Sequence, residues 1–341
     1  LEPDRYNNAL FKELGREEVN KKEGTMITSM TLLILSLVAL YIGAGWLVQG
    51  SSALALKAKI SPLVIGLTIV AFGTSAPELA VNLNATLSGR EDMAIGNIIG
   101  SNIFNIGVIL GISATICPIQ AKKQLLRIDI PVLLAATLLL AIFLWNGTLG
   151  RTEGLFFLSG IIIYTLFSLF HSRKYGEGPN QELEEQPKHW AFDILSIIGG
   201  LAVLVFASRL LVDNAVSIAK ELGVSEAVIG LTIVAAGTSM PELATSIVGG
   251  YKRKTDIAIG NIVGSNLFNI LAVAGSCSLI HPIDTQNIDN IDLMVMTALS
   301  VLLLPLVKSG QKISRTEGIV LILSYVIYMF WLLRAPLWST P

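Results

Sequence analysis

Two short segments of this chain combine residues that could bind a cation with residues that break a helix. "AFGTSAPELA" occupies residues 71–80, and "AAGTSMPELA" occupies residues 235–244. In the first segment, Thr74 and Ser75 precede Glu78 by four and three positions, so the three oxygen-bearing side chains share one face of a helix. Hydroxyl and carboxylate oxygens are hard ligands, which suit small metal cations. These two segments are therefore the first candidates for chemistry.

The proline in each segment predicts a break in the helix. Pro77 has no N–H, and its ring clashes with the carbonyl of Gly73, four residues earlier. The break should leave main-chain carbonyls free beside the hydroxyls and the carboxylate. Within a membrane, free backbone groups are tolerated only where they are buried in protein or line a cavity. Residues 237–242 predict the same feature in the second segment.

A second polar motif follows each of these segments. "GNIIGSNIFN" places Ser101 four residues before Asn105, and "GNIVGSNLFN" places Ser265 four residues before Asn269. Each pair presents two oxygen atoms on one helix face. The GxxxG spacing of the glycines in both motifs allows helices to approach closely. We expect these motifs to bring further oxygen ligands toward the broken helices.

The elements that carry these motifs are predicted to be membrane-spanning helices. The 341 residues are 52% hydrophobic and 14% charged, and the mean hydropathy is +0.67. Soluble domains carry about 25% charged residues. Apolar runs long enough to span a bilayer recur along the chain, which predicts an all-α polytopic membrane protein with ten transmembrane helices. We place the spans at residues 27–50, 61–88, 93–116, 127–145, 153–171, 192–219, 225–250, 256–280, 291–308 and 317–334.

An internal repeat relates the two halves of the chain. Residues 64–80 match residues 228–244 with two differences, and residues 92–106 match residues 256–270 with three. Both pairs are 164 positions apart. Each copy contains five predicted spans, and because five is odd the second copy must enter the membrane from the opposite side. The sequence therefore predicts two inverted five-helix repeats around an axis in the plane of the bilayer.

The basic residues of the connections predict the orientation. Fourteen Lys and Arg residues lie in the connections on one side of the predicted spans, and four lie on the other, counted without residues 1–25. The positive-inside rule places the richer side, which includes the central linker, in the cytoplasm. We expect a multi-pass protein of a prokaryotic plasma membrane, with both termini outside.

The domain organisation follows from the repeat. Residues 1–25 carry eleven charges and no membrane-length apolar run, and we interpret them as an extension added to the fold. Residues 26–171 form the first repeat, residues 172–191 a polar cytoplasmic linker, and residues 192–341 the second repeat. Because one chain contains both repeats, a monomer is expected to be sufficient.

The ligand chemistry points to hard cations. An acidic residue at the bilayer centre costs about 2.5–3.5 kcal/mol on insertion scales, so two at matched depth favour an ion path over packing alone. The candidate groups include no His or Cys, which argues against zinc and copper; Cys117 and Cys277 are interpreted as small apolar residues. Ca²⁺ takes six to eight flexible oxygens, and Na⁺ could use the same oxygens. Competition of Ca²⁺ and Na⁺ for one cluster would give an exchanger.

The motifs "GTSxPE" and "GNI(I/V)GSNxFN", in two inverted copies across residues 27–334, resemble the α-repeats of the cation/Ca²⁺ antiporter superfamily, in its sodium/calcium exchanger branch. The resemblance implies a Ca²⁺ site between Glu78 and Glu242 and movement of the first and sixth spans relative to the rest. It further implies main-chain oxygens from Thr74 and Thr238, sodium ligands from Ser75, Ser101, Ser239, Ser265 and the carbonyls of Ala71 and Ala235, and central positions for Asn105 and Asn269.

Alternatives to Na⁺/Ca²⁺ exchange remain within and outside this fold. The chain has Asn269 where potassium-dependent relatives place Asp, which favours a potassium-independent cycle. An antiporter of the same fold driven by H⁺ or carrying another cation is the nearest alternative, although the proton-coupled branch usually reads GN-x-x-E where this chain reads GTS-x-P-E. An intramembrane acid protease would need an Asp in a GxGD-like setting, and a passive channel would show uncoupled flux. We expect no enzymatic activity, no cofactor and no nucleic-acid partner; Ca²⁺ and Na⁺ would be transported substrates.

Overall fold

The computed structural model describes residues 3–145, 147–175, 189–224, 232–233, 235–284, 290–308, 310 and 312–338, and most of them are helical. The helices are α1 (Pro3–Ala58), α2 (Pro62–Thr74), α3 (Ala76–Leu87), α4 (Glu91–Ile116), α5 (Leu125–Trp145), α6 (Arg151–Tyr175), α7 (Trp190–Glu221), α8 (Met240–Tyr251), α9 (Thr255–Ile280), α10 (Asn290–Lys308) and α11 (Arg315–Trp338). A short helical segment, Ala235–Gly237, precedes α8.

The prediction of a polytopic helical membrane protein is confirmed. Among the described residues, eight helices are long and apolar enough to cross a membrane, and the bent pair α2 and α3 can form a ninth span. The span predicted at residues 225–250 lies partly outside the described residues. The count of ten spans and the inverted arrangement therefore stay predictions.

The segments that flank the first predicted repeat are mostly helical where the structure describes them. α1 runs without a break from Pro3 to Ala58, so residues 3–25 continue the helix that contains the first span. α6 ends at Tyr175, which makes the beginning of the predicted linker helical, and α7 begins at Trp190. The linker residues 176–188 lie outside the described residues.

Large apolar side chains cover the outside of the helical assembly. Phe330 is 78% exposed, and Phe206 and Ile327 are each 70% exposed. A water-soluble surface rarely presents large contiguous apolar patches, whereas a lipid-facing surface must. The inside of the assembly combines a large apolar core with buried hydroxyls, amides and two buried glutamates. These buried polar groups mark the place of the candidate site.

Two short antiparallel strand pairs join the halves of the chain. Strand β1 (Ile119–Gln120) pairs with β4 (Lys312–Ile313), and β2 (Thr148–Leu149) pairs with β3 (Ile283–Asp284). Ile119 faces Ile313 in the first pair, and Leu149 faces Ile283 in the second. An offset of 164 positions converts one pair into the other, so equivalent connections make equivalent contacts.

Glycines allow two of the central helices to approach closely. A Cβ atom on Gly260 of α9 would lie 2.5 Å from the carbonyl oxygen of Leu63 in α2, and a Cβ on Gly66 would lie 2.7 Å from the carbonyl oxygen of Ile257. No side chain fits at either distance. The backbones of α2 and α9 are therefore in direct contact, as small residues permit between membrane helices.

The first and sixth predicted spans pack against each other along their length. Helices α1 and α7 make the most extensive helix–helix contact in the described structure. At one end of this contact, Lys57 forms an ion pair with the buried carboxylate of Asp193. A buried charge needs a partner of opposite sign, and this ion pair supplies it.

Candidate cation-binding site

The predicted break in the first motif is confirmed, and Ser75 lies at its centre. α2 ends at Thr74, α3 begins at Ala76, and the two helices meet at 45°. Ser75 has φ −86° and ψ 3°, and Pro77 lies in the first turn of α3, where its missing N–H removes no helical hydrogen bond. Ser75 therefore stands at the junction, with its side chain free to point away from its own helix.

The second motif breaks at the equivalent residue. Ser239 has φ −92° and ψ 10° and immediately precedes α8, with Pro241 in the first turn of that helix. Pro241 cannot donate to the carbonyl of Gly237, and that oxygen instead accepts a hydrogen bond of 2.7 Å from the Ser208 hydroxyl of α7. A side chain from a neighbouring helix thus satisfies one of the carbonyls that the prolines release.

The two serines bind the two glutamates crosswise. The Ser75 hydroxyl donates to Glu242 Oε1 at 2.8 Å, and the Ser239 hydroxyl donates to Glu78 Oε1 at 2.9 Å. Glu78 is 1% exposed and Glu242 is 0% exposed. Each carboxylate is therefore held by a serine from the other half of the chain, and the two broken helices meet at one buried cluster.

The second oxygen of each carboxylate has no hydrogen-bond partner within the described part of the chain. This holds for Oε2 of both Glu78 and Glu242. Buried polar atoms are hydrogen-bonded in roughly 90% of cases or more, so a group of unpaired oxygens marks a place where a ligand can bind. Other sequence-predicted residues also have buried polar atoms without a partner in the described structure: the Thr238 and Ser101 hydroxyls, Asn105 Oδ1 and both polar side-chain atoms of Asn269.

Thr74 and Ser265 extend the cluster on one side. The Thr74 hydroxyl donates to Asn261 Oδ1 at 3.0 Å and lies 3.5 Å from the Ser265 hydroxyl. The Ser265 hydroxyl lies 3.4 Å from Glu242 Oε1. Three sequence-predicted residues, Thr74, Ser265 and Glu242, are thereby brought together in a single hydrogen-bonded network.

The remaining sequence-predicted residues have different surroundings. The Ala71 carbonyl accepts from the backbone N–H of Ser75 at 2.9 Å and lies 3.3 Å from the Thr74 hydroxyl, so it is already used within its own helix. Ala235 begins the short helical segment before Ser239. Asn105 Nδ2 donates to Asn266 Oδ1 at 3.1 Å.

Several asparagines of this network were not among the predicted site residues. Asn82 donates to the Glu78 carbonyl at 2.7 Å, and Asn261 lies against both Ser246 and the Glu242 carbonyl. A sequence signal existed, because Asn261 precedes Ser265 by four positions and Asn82 follows Glu78 by four. The same spacing that linked Ser265 to Asn269 would have added both residues.

The fold and this cluster together define a polytopic helical membrane protein whose interior holds two carboxylates among hydroxyl and amide oxygens. The model of the sodium/calcium exchanger protein family matches residues 28–170 and 192–334, two ranges separated by the repeat offset, and the chain belongs to this family. The resemblance inferred from the motifs is confirmed.

Relatives and a solved structure cover nearly the whole chain. It is 38% identical over 317 residues to CaxA of Alkalimonas amylolytica, covering 90% of this chain and 99% of the relative. It is 31% identical to the sodium/calcium exchanger MaX1 of Methanosarcina acetivorans, covering 89% and 98%. A solved structure of the sodium-calcium exchanger NCX_Mj aligns with a TM-score of 0.79 and 32% identity, covering 89% of this chain and 98% of that one. Family membership supports cation/Ca²⁺ antiport as the class of activity.

Proposed function

We propose that this protein exchanges Ca²⁺ for Na⁺ across a prokaryotic plasma membrane by alternating access. The observation that carries the proposal is the crosswise pairing of Ser75 with Glu242 and of Ser239 with Glu78, which leaves one unpaired oxygen on each buried carboxylate. Two carboxylates match the charge of one Ca²⁺, and their unpaired oxygens are the ligand type that this ion prefers.

Sodium is the counter-ion that the donor set supports best. Buried hydroxyl and amide oxygens surround the glutamates without adding charge, so small monovalent cations could occupy them when Ca²⁺ is absent. The relatives MaX1 and NCX_Mj are named as sodium/calcium exchangers. In the proposed cycle both ions compete for Glu78 and Glu242, and the residues predicted above supply the remaining oxygens. The ions would lie at the bilayer midplane between two inverted repeats, and a monomer would contain the complete site.

The driving ion is tested with purified protein in vesicles loaded with Na⁺ and diluted into ⁴⁵Ca²⁺ medium. We expect Ca²⁺ uptake that requires an outward Na⁺ gradient and that persists when the pH gradient is collapsed. Uptake that follows the pH gradient and ignores Na⁺ would instead establish the H⁺-driven alternative. Flux of Ca²⁺ without any counter-ion would establish a channel.

Glutamate substitutions test the site in the same assay. Glu78→Gln and Glu242→Gln each remove one of the two charges that match Ca²⁺ and should reduce coupled uptake by at least tenfold, since each charge-assisted ligand contributes more than about 1.5 kcal/mol. Glu221→Gln, on the exposed end of α7, is the matched control and should transport like the parent. Normal uptake by either cluster variant would show that the cation site lies elsewhere.

The proposed orientation places both termini outside the cell. Arg90 and Lys123 are both exposed and lie in connections that the charge rule assigns to opposite faces. A membrane-impermeant thiol reagent applied outside intact cells should label Arg90→Cys and leave Lys123→Cys unlabelled. Labelling of Lys123→Cys alone would invert the proposed topology.

A further inference from the structure

Among the described residues, the hydrogen bond between a threonine and an asparagine is present in one half of the cluster and missing in the other. For this comparison, the counterpart of a residue is the residue 164 positions away. Thr74 donates to Asn261 at 3.0 Å, but its counterpart Thr238 has a buried hydroxyl without a hydrogen-bond partner in the described structure. Asn97, the counterpart of Asn261, donates to Asn82 and makes no bond to Thr238. The Thr–Asn hydrogen bond is therefore formed on one side of the cluster only.

A second contact shows the same difference. Asn105 donates to Asn266 at 3.1 Å. The counterparts of these residues are Asn269 and Asn102, and in the described part of the chain neither Asn269 nor the Asn102 Oδ1 atom has a hydrogen-bond partner. By contrast, the two Ser–Glu hydrogen bonds are present in both halves. The Ser265 hydroxyl also lies 3.4 Å from Glu242, whereas its counterpart Ser101 has no hydrogen-bond partner among the described residues. The difference thus lies in the contacts of the asparagines, the threonines and this serine pair, and not in the crosswise Ser–Glu bonds.

Burial follows the hydrogen bonds. Every residue from 257 to 275 of α9 is buried, including Asn261. On α4, Asn97 is only half-buried and Gly96 is exposed. Met93 of α4 is 51% exposed, whereas its counterpart Ile257 is 0% exposed. The described residues of α9, on the side that has the Thr–Asn bond, are therefore more buried than their counterparts on α4, and we refer to the α9 side as closed and to the α4 side as open.

Asn261 connects the Thr–Asn bond to the backbone at Glu242. Its Oδ1 atom accepts from Thr74, while its Nδ2 atom lies 3.4 Å from the Glu242 carbonyl and 3.2 Å from the Ser246 hydroxyl. One amide group therefore connects the end of α2 to the start of α8. Asn97 is linked to Glu78 indirectly, because it donates to Asn82, which donates to the Glu78 carbonyl. The Oδ1 atom of Asn97 could then accept a hydrogen bond from Thr238.

We propose that Asn261 and Asn97 are positioning residues that latch the two sides of the cation cluster in turn. In the state seen here, Asn261 holds Thr74 and closes its side. In the state of opposite access, Asn97 holds Thr238, and the Thr74–Asn261 bond is released. This inference rests on the proposed alternating-access function. It adds two residues that would shift the equilibrium between the two states of access. Neither asparagine needs to contact the transported ions.

Substitutions of the two latches should have opposite effects. Asn261→Ala removes the bond to Thr74, which is proposed to exist only in this state, and Asn97→Ala removes the bond to Thr238, which is proposed to form only in the other. Each variant also loses a second bond, Asn261–Ser246 or Asn97–Asn82. These two bonds are counterparts and both are present here, so their loss should not favour one state. Loss of one neutral hydrogen bond should shift the ratio of the two states by roughly three- to tenfold. A purely structural role for these asparagines would lower stability or rate without opposite shifts.

A cysteine at Met93 reports the state without requiring transport. In a background with Cys117→Ala and Cys277→Ala, Met93→Cys is treated with a hydrophilic maleimide. Asn261→Ala should slow alkylation, because it favours the state in which position 93 is covered as Ile257 is here. Asn97→Ala should leave alkylation at least as fast as in the parent. Equal rates in all three proteins, or slower alkylation with Asn97→Ala, would overturn the proposal.

Transport kinetics provide the second readout. Asn261→Ala should raise the KM for Ca²⁺ on the face that is open here and lower it on the opposite face, and Asn97→Ala should do the reverse. Shifts in the same direction would contradict the latch. Asn84→Ala, an exposed asparagine on α3, is the control. If Asn261→Ala does not fold, Thr74→Val removes the same hydrogen bond with little change of shape and should slow alkylation equally.

The two proposals fail in distinguishable ways. If the parent protein moves no Ca²⁺ in exchange for Na⁺, the proposed function is wrong, and the alkylation rates still report on the latch. If the parent exchanges the ions but the two asparagine variants behave alike, the function stands and the latch is wrong.

Discussion

Ser75 and Ser239 show how two carboxylates can be kept close together inside a membrane protein. Burying a charge is expensive unless it is paired and hydrogen-bonded. Each serine donates one hydrogen bond to a glutamate of the opposite half, and the other carboxylate oxygen stays unpaired among the described residues. The cluster is thus satisfied in part only, and a bound cation would complete it. This partial pairing is the basis on which we propose that the cluster binds cations.

Removal of either serine hydroxyl should weaken Na⁺ competition. Ser75→Ala and Ser239→Ala each delete a hydrogen bond to a charged group, worth about 1.5–3 kcal/mol, and also an oxygen that Na⁺ could use. We expect the Na⁺ concentration that half-inhibits Ca²⁺ binding to rise by roughly tenfold or more, measured by ⁴⁵Ca²⁺ binding in detergent.

A serine bonded within its own helix provides the control. The Ser300 hydroxyl donates to the Met296 carbonyl one turn away in α10, far along the chain from either motif. Ser300→Ala should leave Na⁺ competition unchanged. If the two cluster variants retain the parental Na⁺ dependence, neither serine is part of the cation site.

The sequence predicted several residues that the structure brings together, but not the contacts between them. The three-residue spacing predicts that Ser75 and Glu78 share one helix face, whereas in the structure Ser75 lies at the break just before the helix that contains Glu78. The hydrogen bond, however, runs from Ser75 to Glu242, 167 positions away. Local spacing contains no information about which half supplies the acceptor, because that depends on how the two broken helices meet. For the same reason the bond from Thr74 to Asn261 was not foreseen.

At the scale of the helices, equivalent Tyr–Asp hydrogen bonds join the last two spans of each half. Tyr164 of α6 donates to Asp129 of α5, and Tyr328 of α11 donates to Asp292 of α10, both at 2.9 Å. The tyrosines are 164 positions apart and the aspartates 163. The difference arises because one residue fewer lies between β3 and Asp292 than between β1 and Asp129. Interhelical polar contacts of this type fasten neighbouring helices in membranes.

The two tyrosines should differ in their importance for stability. Asp129 is fully buried, so Tyr164→Phe leaves a buried carboxylate without this donor and should cost about 1–3 kcal/mol. Asp292 is only half-buried, so Tyr328→Phe should cost less. Thermal unfolding of the purified protein in detergent would measure both changes. Equal losses of stability, or a greater loss with Tyr328→Phe, would contradict this account of Asp129.

Some features of the elements could be predicted, and others depend on packing. Pro77 predicted the break at Ser75 because its effect is confined to one turn of helix. The direct backbone contact between Gly66 and Gly260 could not be assigned, because GxxxG spacing identifies a face that can pack closely but not the helix that packs there. The two-residue strands were also unpredictable, since β1 and β4 are far apart in sequence and each is too short for a periodic pattern.

For the molecule as a whole, contacts between distant connections agree with the orientation proposed from loop charge. The pair β1–β4 joins two connections that the charge rule assigns to the cytoplasm, and β2–β3 joins two assigned to the outside. The ion pair between Lys122 and Asp256 joins a predicted cytoplasmic connection to the cytoplasmic end of the predicted eighth span. The strand pairings are backbone contacts that do not depend on the charge count, and they support the inverted arrangement that we propose.

The proposed exchange gives a prediction for the energetics of the complete cycle. Glu78 and Glu242 match the charge of one Ca²⁺ but do not fix the number of Na⁺. The resemblance to sodium/calcium exchangers implies three Na⁺ per Ca²⁺, so we expect one net charge to cross the membrane in each turn. At a tenfold sodium gradient, three ions supply about 4 kcal/mol, and 100 mV adds about 2.3 kcal/mol. Together these would sustain a Ca²⁺ ratio above about ten-thousandfold, whereas two ions and no net charge would reach only about a hundredfold.

A membrane potential should therefore change the rate of exchange. In vesicles loaded with Na⁺, Ca²⁺ entry coupled to exit of three Na⁺ carries positive charge outward, so an inside-positive potential should accelerate it. The potential is imposed with valinomycin and an inward K⁺ gradient, and ⁴⁵Ca²⁺ uptake is compared with and without valinomycin at the same ion concentrations. Valinomycin without a K⁺ gradient is the control. If the potential leaves uptake unchanged, the exchange is electroneutral, and the cluster binds only two Na⁺ in place of each Ca²⁺.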